Sequence, residues 1–265
     1  MNEFPSWAAG FVLACVIATA AWRMRSLYPS GAIAAVGVGT AAMVAGWDWG
    51  VLLVLYFISS SALSRFRHAE KDARTLGRVE KSGARDGWQV LANGGFFALA
   101  AVVFASDTRS VWQLAGIGAL AASAADTWAT ELGVLSPARP RSILTWQPVD
   151  AGVSGGVTLY GFAAALTASL MLGIAAVALH WPRAGLVAAL AGGLGGCLFD
   201  SLLGGTLQSR RHCPACDADT EQRRHRCGTA TIHAGGLPFL DNDAVNLLAT
   251  AAGAALGATV GAVVA

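Results

Sequence analysis

The chain has 265 residues, of which 55% are hydrophobic and only 13% are charged, and its net charge is +2. Soluble domains carry roughly a quarter charged residues, so an ordinary water-soluble domain is excluded. The apolar content excludes a disordered chain, five cysteines are too few for a disulfide scaffold, and nothing in the charge suggests a nucleic-acid partner. Thirty-two glycines without a collagen-like period are typical of closely packed membrane helices. The composition therefore predicts an all-α, polytopic integral membrane bundle in a single domain, residues 1–265.

Eight apolar runs come close to the length that crosses a bilayer, about 17 to 25 residues. They cover residues 7–22, 30–46, 49–64, 88–105, 111–130, 154–180, 184–207 and 243–264. No positively charged segment precedes the first run, so we expect it to remain as a helix of the mature protein. The short link between the second and third runs carries Trp47 and Trp49, which predicts interfacial tryptophans.

The basic residues predict the orientation of this bundle. Sixteen of the eighteen Lys and Arg residues fall in loops on one side, and only Arg109 and Arg183 fall on the other. By the positive-inside rule, the side with the sixteen basic residues faces the cytoplasm. Both termini would then lie on the outer face of the cell's inner membrane. Two long loops lie on the predicted cytoplasmic side, a basic loop (residues 65–87) and a Cys/His loop (residues 209–242).

Polar residues gather at the predicted cytoplasmic ends of five spans. They are Gln89 and Asn93, Asp126 and Glu131, Asp150 and Ser154 with the neighbouring Gly155 and Gly156, Asp200 and Gln208, and Asp243 and Asn246. A carboxylate inside or at the edge of the hydrocarbon layer is costly and indicates function. We expect Asp126, Asp200 and Asp243 to hold Mg²⁺, which proteins bind through one or two carboxylates while substrate phosphates complete the shell. With Glu131, these acids form the predicted catalytic group.

Spacing refines the prediction. Asp200, Gly204 and Gln208 repeat at every fourth position, so one helix would carry them on one face. Asp126 and Glu131 are five residues apart, roughly 140° around a helix, so they would face one ion only if the helix ends or bends between them. Because Asp126-Thr127 and Asp200-Ser201 end similar small-residue runs, a decayed internal repeat is also indicated.

Two further segments suit phosphate. The glycine-rich stretch 152–156 at a predicted helix start suits anion binding, although such glycines also simply turn a chain. In the basic loop, Arg78, Lys81 and Arg85 would clamp phosphates over the site. The alternative is a solvated loop that fixes topology and touches anionic lipid. The amides of Gln89, Asn93, Gln208 and Asn246 would add hydrogen bonds to phosphate or ribose.

In the Cys/His loop, the spacing of three cysteines and a histidine indicates a set of metal ligands: Cys213, Cys216 and Cys227, with His225 nearby. One C-x-x-C pair with a third cysteine and a histidine is compatible with tetrahedral zinc, and a cytosolic location disfavours a disulfide. A structural zinc would hold the loop between two helices that carry the site. The alternatives are a thiol pair without metal and adventitious metal binding.

The motifs at residues 89–95, 126–133, 155–157, 200–208 and 243–246 together resemble the membrane family called domain of unknown function 92. That family includes transmembrane protein 19 and the plant and cyanobacterial phytyl-phosphate kinases. The resemblance runs over nearly the whole chain in the same order. It implies a fold of integral helices and, for the characterised branch, phosphoryl transfer from a nucleotide to phytyl monophosphate.

The residues taken by themselves suit such a membrane kinase. A prenyl phosphate keeps its tail in the lipid bilayer and its phosphate at headgroup level, while the nucleotide, CTP or ATP, is cytosolic. The predicted site on the cytoplasmic face is where the two would meet. The alternatives are a transporter or flippase, whose site would lie near the bilayer midplane, a cytidylyltransferase-type lipid-phosphate transferase, which would release pyrophosphate, and a scaffold without chemistry.

Overall fold

The computed structural model describes residues 6–75 and 83–264. Within these ranges lie nine helices: α1 (Ser6–Arg23), α2 (Pro29–Ala45), α3 (Trp47–Arg65), α4 (His68–Thr75), α5 (Gly87–Ser106), α6 (Ser110–Gly133), α7 (Leu159–Ala178), α8 (Ala184–Thr206) and α9 (Asn242–Val264). A helix occupies each of the eight apolar ranges found in the sequence. The addition is α4, a short polar helix inside the basic loop.

Length and hydropathy make this a helical membrane protein. Among the described helices, α3, α5, α7, α8 and α9 are long and apolar enough to cross a bilayer. The helices α1 and α2 are apolar but shorter. Apolar side chains on the outside of the bundle remain exposed, as expected where lipid replaces water.

The helix α6 forms the centre of the bundle. Every residue from Leu114 to Ala125 is buried, because α5, α7, α8 and α9 pack around it. This stretch is composed mainly of Ala and Gly, which allow the surrounding helices to approach closely.

Three glycines form the closest crossing, Gly118 of α6, Gly192 of α8 and Gly253 of α9. A Cβ atom on Gly118 would lie 2.3 Å from the carbonyl oxygen of Gly253, and one on Gly192 would lie 2.5 Å from the Cα atom of Gly118. No side chain fits at these distances, so the crossing requires glycine on all three helices.

The same contacts fix the register of the three helices. Moving one turn along, Gly196 of α8 meets Ala122 of α6 and Ala249 of α9. Thus α6 and α8 run in the same direction and α9 runs against them. A further turn along α6 and α8 leads to Asp126 and Asp200, which therefore lie side by side.

A cluster of aromatic side chains lies at the end of the bundle opposite Asp126 and Asp200. The ring of Trp49 lies 5.1 Å from Phe97, 5.6 Å from Phe104 and 4.6 Å from Trp181, measured between centroids. The prediction of an interfacial position is therefore wrong for Trp49, which is fully buried, whereas Trp47 is exposed. The reason is that α3 already begins at Trp47, so that Trp49 lies on the face turned towards α5.

The loops carry short strands that the all-α prediction left out. One hairpin pairs β1 (Arg141–Ser142) with β2 (Gly156–Val157), antiparallel, with Arg141 opposite Val157. The Cys/His loop forms an antiparallel sheet of β3 (Arg210–Cys213), β4 (Ala218–Thr220) and β5 (Ile232–Gly235), in the order β4-β3-β5. These strands are too short and polar to give a clear alternation in the sequence.

Candidate functional site

Two carboxyl groups meet between α6 and α8. The side chains of Asp126 and Asp200 lie within hydrogen-bonding distance of each other. The Oδ2 atom of Asp200 is buried and has no hydrogen-bond partner among the described residues. Adjacent carboxylates repel each other unless a proton or a cation lies between them, and a low dielectric strengthens that repulsion. The pair therefore has the oxygen atoms that a cation binds, and a cation between them would relieve the repulsion, as a shared proton also would.

The start of α9 lies at the same end of the bundle. The register of α8 and α9 places Asn246 at the level of Asp200. Asp243 lies one turn nearer the surface, and its Oδ1 atom is removed from solvent. Asp241 caps this helix by accepting a hydrogen bond from the backbone N–H of Ala244 at 3.2 Å.

Glu131 has a different partner from Asp126. It forms an ion pair with Lys71 of α4, and these side chains are only 22% and 9% exposed, respectively. The Lys71 ammonium also donates hydrogen bonds to the carbonyl oxygens of Leu63, at 2.7 Å, and Ser64, at 3.2 Å. The helix α6 continues unbroken to Gly133, so Glu131 and Asp126 do face different directions.

A second contact fixes α4 on the end of α6. Arg74 donates hydrogen bonds to the carbonyl oxygens of Val134 and Ser136, at 3.2 and 3.0 Å, and pairs with Glu70 at 2.8 Å. Beside it lies a pocket of about 250 Å³ between α4, the end of α6 and the β1–β2 hairpin, which Arg139 also lines. A pocket lined by Arg74, Arg139 and Asp150, the last of which pairs with Arg139 at 3.6 Å, thus opens about two helical turns from Asp126, on the surface side.

The two amides at the start of α5 have structural partners. Gln89 and Asp86 form a reciprocal capping box at the helix N-terminus. Asn93 accepts a hydrogen bond from the Ser123 hydroxyl of α6 at 2.7 Å, and Ser123 lies 2.8 Å from the Tyr56 hydroxyl of α3. This network links three helices one turn deeper than Asp126. Both amides lie at the predicted end, and a role in phosphate binding remains a prediction.

The glycine stretch lies outside the helix that it was predicted to start. Thr158 caps α7, which begins at Leu159, so Gly155 and Gly156 belong to the β1–β2 hairpin. Gly155 has a φ of +79°, and a Cβ atom there would lie 2.6 Å from the Cα atom of Gly205 in α8. These glycines therefore turn the chain and let the hairpin pack on α8 just beyond Asp200.

Gln208 is likewise not part of a helix, since α8 ends at Thr206. The prediction of one continuous face from Asp200 to Gln208 is therefore wrong in its last step. The side chain is nevertheless buried and turns back towards Gly204, on the same side as the hairpin.

The hairpin also contacts the Cys/His loop. The Ser154 hydroxyl donates a hydrogen bond to Glu221, the residue after β4. Glu221 lies close enough to Asp200 for their charges to interact. A third acid from a distant loop thus lies near the carboxyl pair.

Of the predicted phosphate clamp, only Arg85 lies within the described residues, and Arg78 and Lys81 lie outside them. The Arg85 guanidinium is 5.8 Å from the centroid of the Phe57 ring and 3.5 Å from the Ser61 hydroxyl. Its backbone pairs with Ser26 and Tyr28 between α1 and α2. Arg85 therefore lies against α3, at the same end of the bundle as the carboxyl pair.

An apolar groove of about 790 Å³ runs between α2 and α5. Trp88, Leu91, Gly95 and Ala98 line its α5 side. These residues lie on the face of α5 opposite Asn93, because they are 140° to 220° away around the helix. The groove is therefore separate from the carboxyl pair and opens towards lipid.

The Cys/His loop brings its four predicted ligands together. The donor atoms of Cys213, Cys216, His225 and Cys227 all lie within 4.8 Å of one another. The Cys213 and Cys227 sulfurs are 3.6 Å apart, and His225 Nδ1 is 3.2 Å from the Cys227 sulfur. Hydrogen bonding with Thr229 and His225 lowers the pKa of the Cys227 thiol to about 5. The spacing in the sequence is thus matched by proximity in space.

Comparison with known proteins relates this bundle to a family. The sequence matches the family described as integral membrane protein DUF92 over residues 12–254. The chain belongs to the DUF92 family. This DUF92 protein is 33% identical to Protein PGR of Arabidopsis thaliana, over 89% of this chain and 90% of the relative. An uncharacterized membrane protein of Methanocaldococcus jannaschii is 27% identical over 93% and 90%, respectively.

A third relative, an uncharacterized membrane protein of Synechocystis sp., is 26% identical over 62% of this chain and 65% of its own length. No solved structure matches the chain. The region matched by the DUF92 family contains the carboxyl pair, the start of α9 and the Cys/His loop. The resemblance found in the sequence motifs is therefore confirmed at the level of the family.

Sequence reasoning missed two side chains that the structure places at this end, Lys71 and Glu221, and gave Ser154 no partner. Lys71 was one of many basic residues in its loop, and only its spacing in α4 sets it apart. Ser154 and Glu221 lie in segments without helical periodicity. Their contact depends on how two loops fold, which no local pattern indicates.

Proposed function

We propose that this DUF92 protein is a membrane phosphotransferase that moves a phosphoryl group from a nucleoside triphosphate to a prenyl monophosphate. The observation that carries the proposal is the partly buried Asp126–Asp200 pair at the polar end of the bundle, with the buried Oδ2 atom of Asp200. A carboxyl pair with an unsatisfied oxygen suits a divalent cation that also binds phosphate. Catalysis by positioning and charge neutralisation is what phosphoryl transfer requires.

The Asp126–Asp200 pair lies in the half of α6 and α8 that leads to the polar end of the bundle. Asp200 lies six residues before the end of α8, about 9 Å along the helix, and Asp126 lies seven residues before the end of α6. These helices are 23 and 24 residues long, so both acids are slightly nearer to the middle of their helix than to its end. A transporter site is expected near the midplane, so the products of the reaction, and not the depth of the pair, separate an enzyme from a transporter or flippase.

We further propose eight membrane crossings with both termini outside and the site on the cytoplasmic face of the inner membrane. The supporting feature is the charge distribution. Arg109 and Arg183 precede α6 and α8 at the end of the bundle with the aromatic cluster. The other described basic residues lie at the end of the bundle with the Asp126–Asp200 pair. The positive-inside rule assigns the latter end to the cytosol. A cytosolic nucleotide would then reach the site directly.

In this scheme Asp126, Asp200 and Asp243 hold Mg²⁺. The cation would neutralise phosphate charge and orient the phosphate oxygens. Asn246 at the depth of the pair, and Gln208 beside Gly204 about one turn nearer the surface, would donate hydrogen bonds to the prenyl phosphate. Arg74 and Arg139, which line the pocket beside the end of α6, would bind the nucleotide phosphates.

The transfer needs no general base from the protein. A monophosphate has a second pKa of about 6 and is largely dianionic at pH 7. One of its oxygens attacks the γ-phosphorus of the nucleotide, the new P–O bond forms, and the bond from that phosphorus to the β,γ-bridging oxygen breaks. The products are a prenyl diphosphate and a nucleoside diphosphate. A cytidylyltransferase would instead release pyrophosphate, so the products separate the two reactions.

The test uses purified full-length protein in detergent, Mg²⁺, γ-labelled CTP or ATP, and prenyl monophosphates of several chain lengths. We expect labelled prenyl diphosphate, and we expect Asp200→Asn to lower turnover at least about 100-fold, because the cation loses a ligand. The matched control is Asp107→Asn at the opposite end of the bundle, where Arg109 and Trp112 lower the pKa of Asp107 to about 2. This control should retain full activity.

A second measurement is independent of turnover. Mg²⁺ should raise the melting temperature of the wild-type protein and of Asp107→Asn, because a ligand stabilises the state that binds it. It should not do so for Asp200→Asn. A fully active Asp200→Asn variant, or an unchanged response of that variant to Mg²⁺, contradicts the proposal.

A further inference from the structure

The Cys/His loop lacks an apolar core of its own. Its three strands have four, three and four residues, and the buried residues within it are mainly polar or sulfur-containing: Cys213, Thr220, His225 and Thr231. Segments of this size fold stably only with a staple such as a metal or disulfide. The loop nevertheless has a defined sheet, so something other than apolar burial has to stabilise it.

The four ligand atoms provide that staple. Tetrahedral zinc with Zn–S bonds of about 2.3 Å separates its sulfurs by about 3.8 Å, close to the 3.6 Å between Cys213 and Cys227. All four donors lie within 4.8 Å of one another, and three sulfurs with one imidazole make a closed structural set. Cys213 and His225 are buried and Cys216 and Cys227 are exposed, so the cluster sits at the edge of the sheet.

The chain between these ligands carries Glu221. Arg211 donates hydrogen bonds to the hydroxyl and carbonyl oxygens of Thr231, both at 2.7 Å. Thr231 in turn donates to the carbonyl oxygen of Gln222 at 2.6 Å. Gln222, the residue after Glu221, is thereby fixed to the sheet, and Glu221 reaches Ser154 of the hairpin.

Both ends of the loop are fastened to the helices that carry the site. The backbone N–H of Ser209 donates to Leu240 at 2.8 Å, and that of Leu237 donates to Leu207 at 2.8 Å. The loop is thus anchored at the end of α8 and the start of α9. Its position relative to Asp200 depends on the fold of the segment that the four ligands close.

We infer that Cys213, Cys216, His225 and Cys227 bind a structural zinc ion, and that this zinc holds Glu221 beside the Asp126–Asp200 pair. Zinc binding provides the folding energy of the loop. Glu221 is a positioning residue that closes the polar end of the bundle through Ser154. Its effect on phosphoryl transfer rests on the proposed function, whereas the zinc site does not.

The first test measures zinc by mass spectrometry in the full-length protein, purified in detergent without chelator. We expect about one zinc per chain. Cys216→Ser and Cys227→Ser change exposed ligands and should lose it, while elution as a single peak in size exclusion shows that the bundle remains folded. The matched control is Cys15→Ser in α1, which should keep the zinc.

Cobalt substitution and proteolysis complete the test. Cobalt in place of zinc should give thiolate charge-transfer bands and tetrahedral visible bands, whereas adventitious surface metal gives neither. Removal of zinc should expose the loop arginines, Arg210, Arg211, Arg223, Arg224 and Arg226, to trypsin while α8 and α9 remain intact. Ser154→Ala, which keeps the ligands, should retain the zinc but release the loop from the hairpin.

The inference is overturned if the protein binds no zinc, if the zinc persists in both serine variants, or if Cys213 and Cys227 are joined as a disulfide instead. These measurements use neither nucleotide nor prenyl phosphate. Zinc without kinase activity would therefore refute the proposed function alone, and kinase activity without zinc would refute this inference alone.

Discussion

At the scale of single residues, the acids of the polar end differ in what neutralises them. Asp126 and Asp200 face each other, and two adjacent carboxylates repel each other unless a proton or a cation lies between them. Glu131 is instead neutralised by Lys71, which comes from the basic loop. The two aspartates could therefore be neutralised by a bound cation, whereas the charge of Glu131 is already neutralised by the Lys71 ammonium. This difference separates a candidate ligand set from a structural ion pair on the same helix.

The ion pair gives a prediction about stability. Lys71→Met should lower the free energy of unfolding by about 1 to 3 kcal/mol, because Glu131 keeps a partly buried charge without its partner. The matched control is Arg67→Met, which removes the more exposed partner of Glu70 and should change stability by less than about 0.5 kcal/mol. Thermal unfolding in detergent measures both.

The double variant Lys71→Met with Glu131→Gln shows whether the pair itself is responsible. Removing the stranded charge should restore most of the stability lost in Lys71→Met. If Lys71→Met melts like the wild-type protein, α4 is not held on α6 by this contact.

At the scale of helices, close packing of α6, α8 and α9 aligns the site. Gly118→Ala should destabilise the protein by about 1 to 3 kcal/mol, because its new methyl group would overlap the Gly253 carbonyl oxygen. The matched control is Gly37→Ala in α2, where a Cβ atom meets nothing within 4 Å. Since alanine is the better helix former, that variant should be unchanged or stabilised by up to about 1 kcal/mol.

Thermal unfolding again decides the matter, with Mg²⁺ titration as a second measurement. Gly118→Ala shifts α6 against α8, so it should also weaken the Mg²⁺-dependent rise in melting temperature. Equal melting temperatures for Gly118→Ala and Gly37→Ala would contradict the close contact of Gly118 with Gly253.

Helix positions were predictable from the sequence, but partners were not. Long runs of Ala, Gly and Leu predicted the helices, and polar residues at five helix ends predicted which end carries the chemistry. The similarity of Asp126-Thr127 to Asp200-Ser201 indicates an internal repeat, and these two segments lie side by side. The pairing itself depends on the register set by Gly118 and Gly192, which is a property of packing.

Loops were predicted less well, for a physical reason. The start of α7 was placed too early because glycines near a helix resemble a helix start, whereas Thr158 provides the cap. Gln208 was assigned to a helix because the helical spacing continues past the point where α8 ends. The contact between Ser154 and Glu221 joins residues 67 positions apart, and no local pattern encodes it.

At the scale of the whole molecule, charge and structure together predict the orientation. Ala138→Cys lies shortly before β1, at the end of the bundle with the Asp126–Asp200 pair. It should react with a membrane-impermeant maleimide only after inner membranes are inverted or opened. Thr108→Cys, in the link between α5 and α6, should react in intact cells whose outer barrier has been permeabilised. Both variants are made in a background where the native cysteines that react have been mapped. The reverse labelling pattern would place the site on the outer face.

The side-by-side arrangement of α6 and α8 has a consequence for biogenesis. In the proposed topology, Asp126 enters the bilayer with α6, but its neighbour Asp200 is encoded 74 positions later and is inserted only after α7 has crossed back. The newly made chain must therefore carry a protonated or solvated acid at this depth until α8 follows. A ribosome stalled within the α7–α8 link would leave an incomplete bundle with this acid exposed to lipid, the kind of lesion that membrane quality control can recognise.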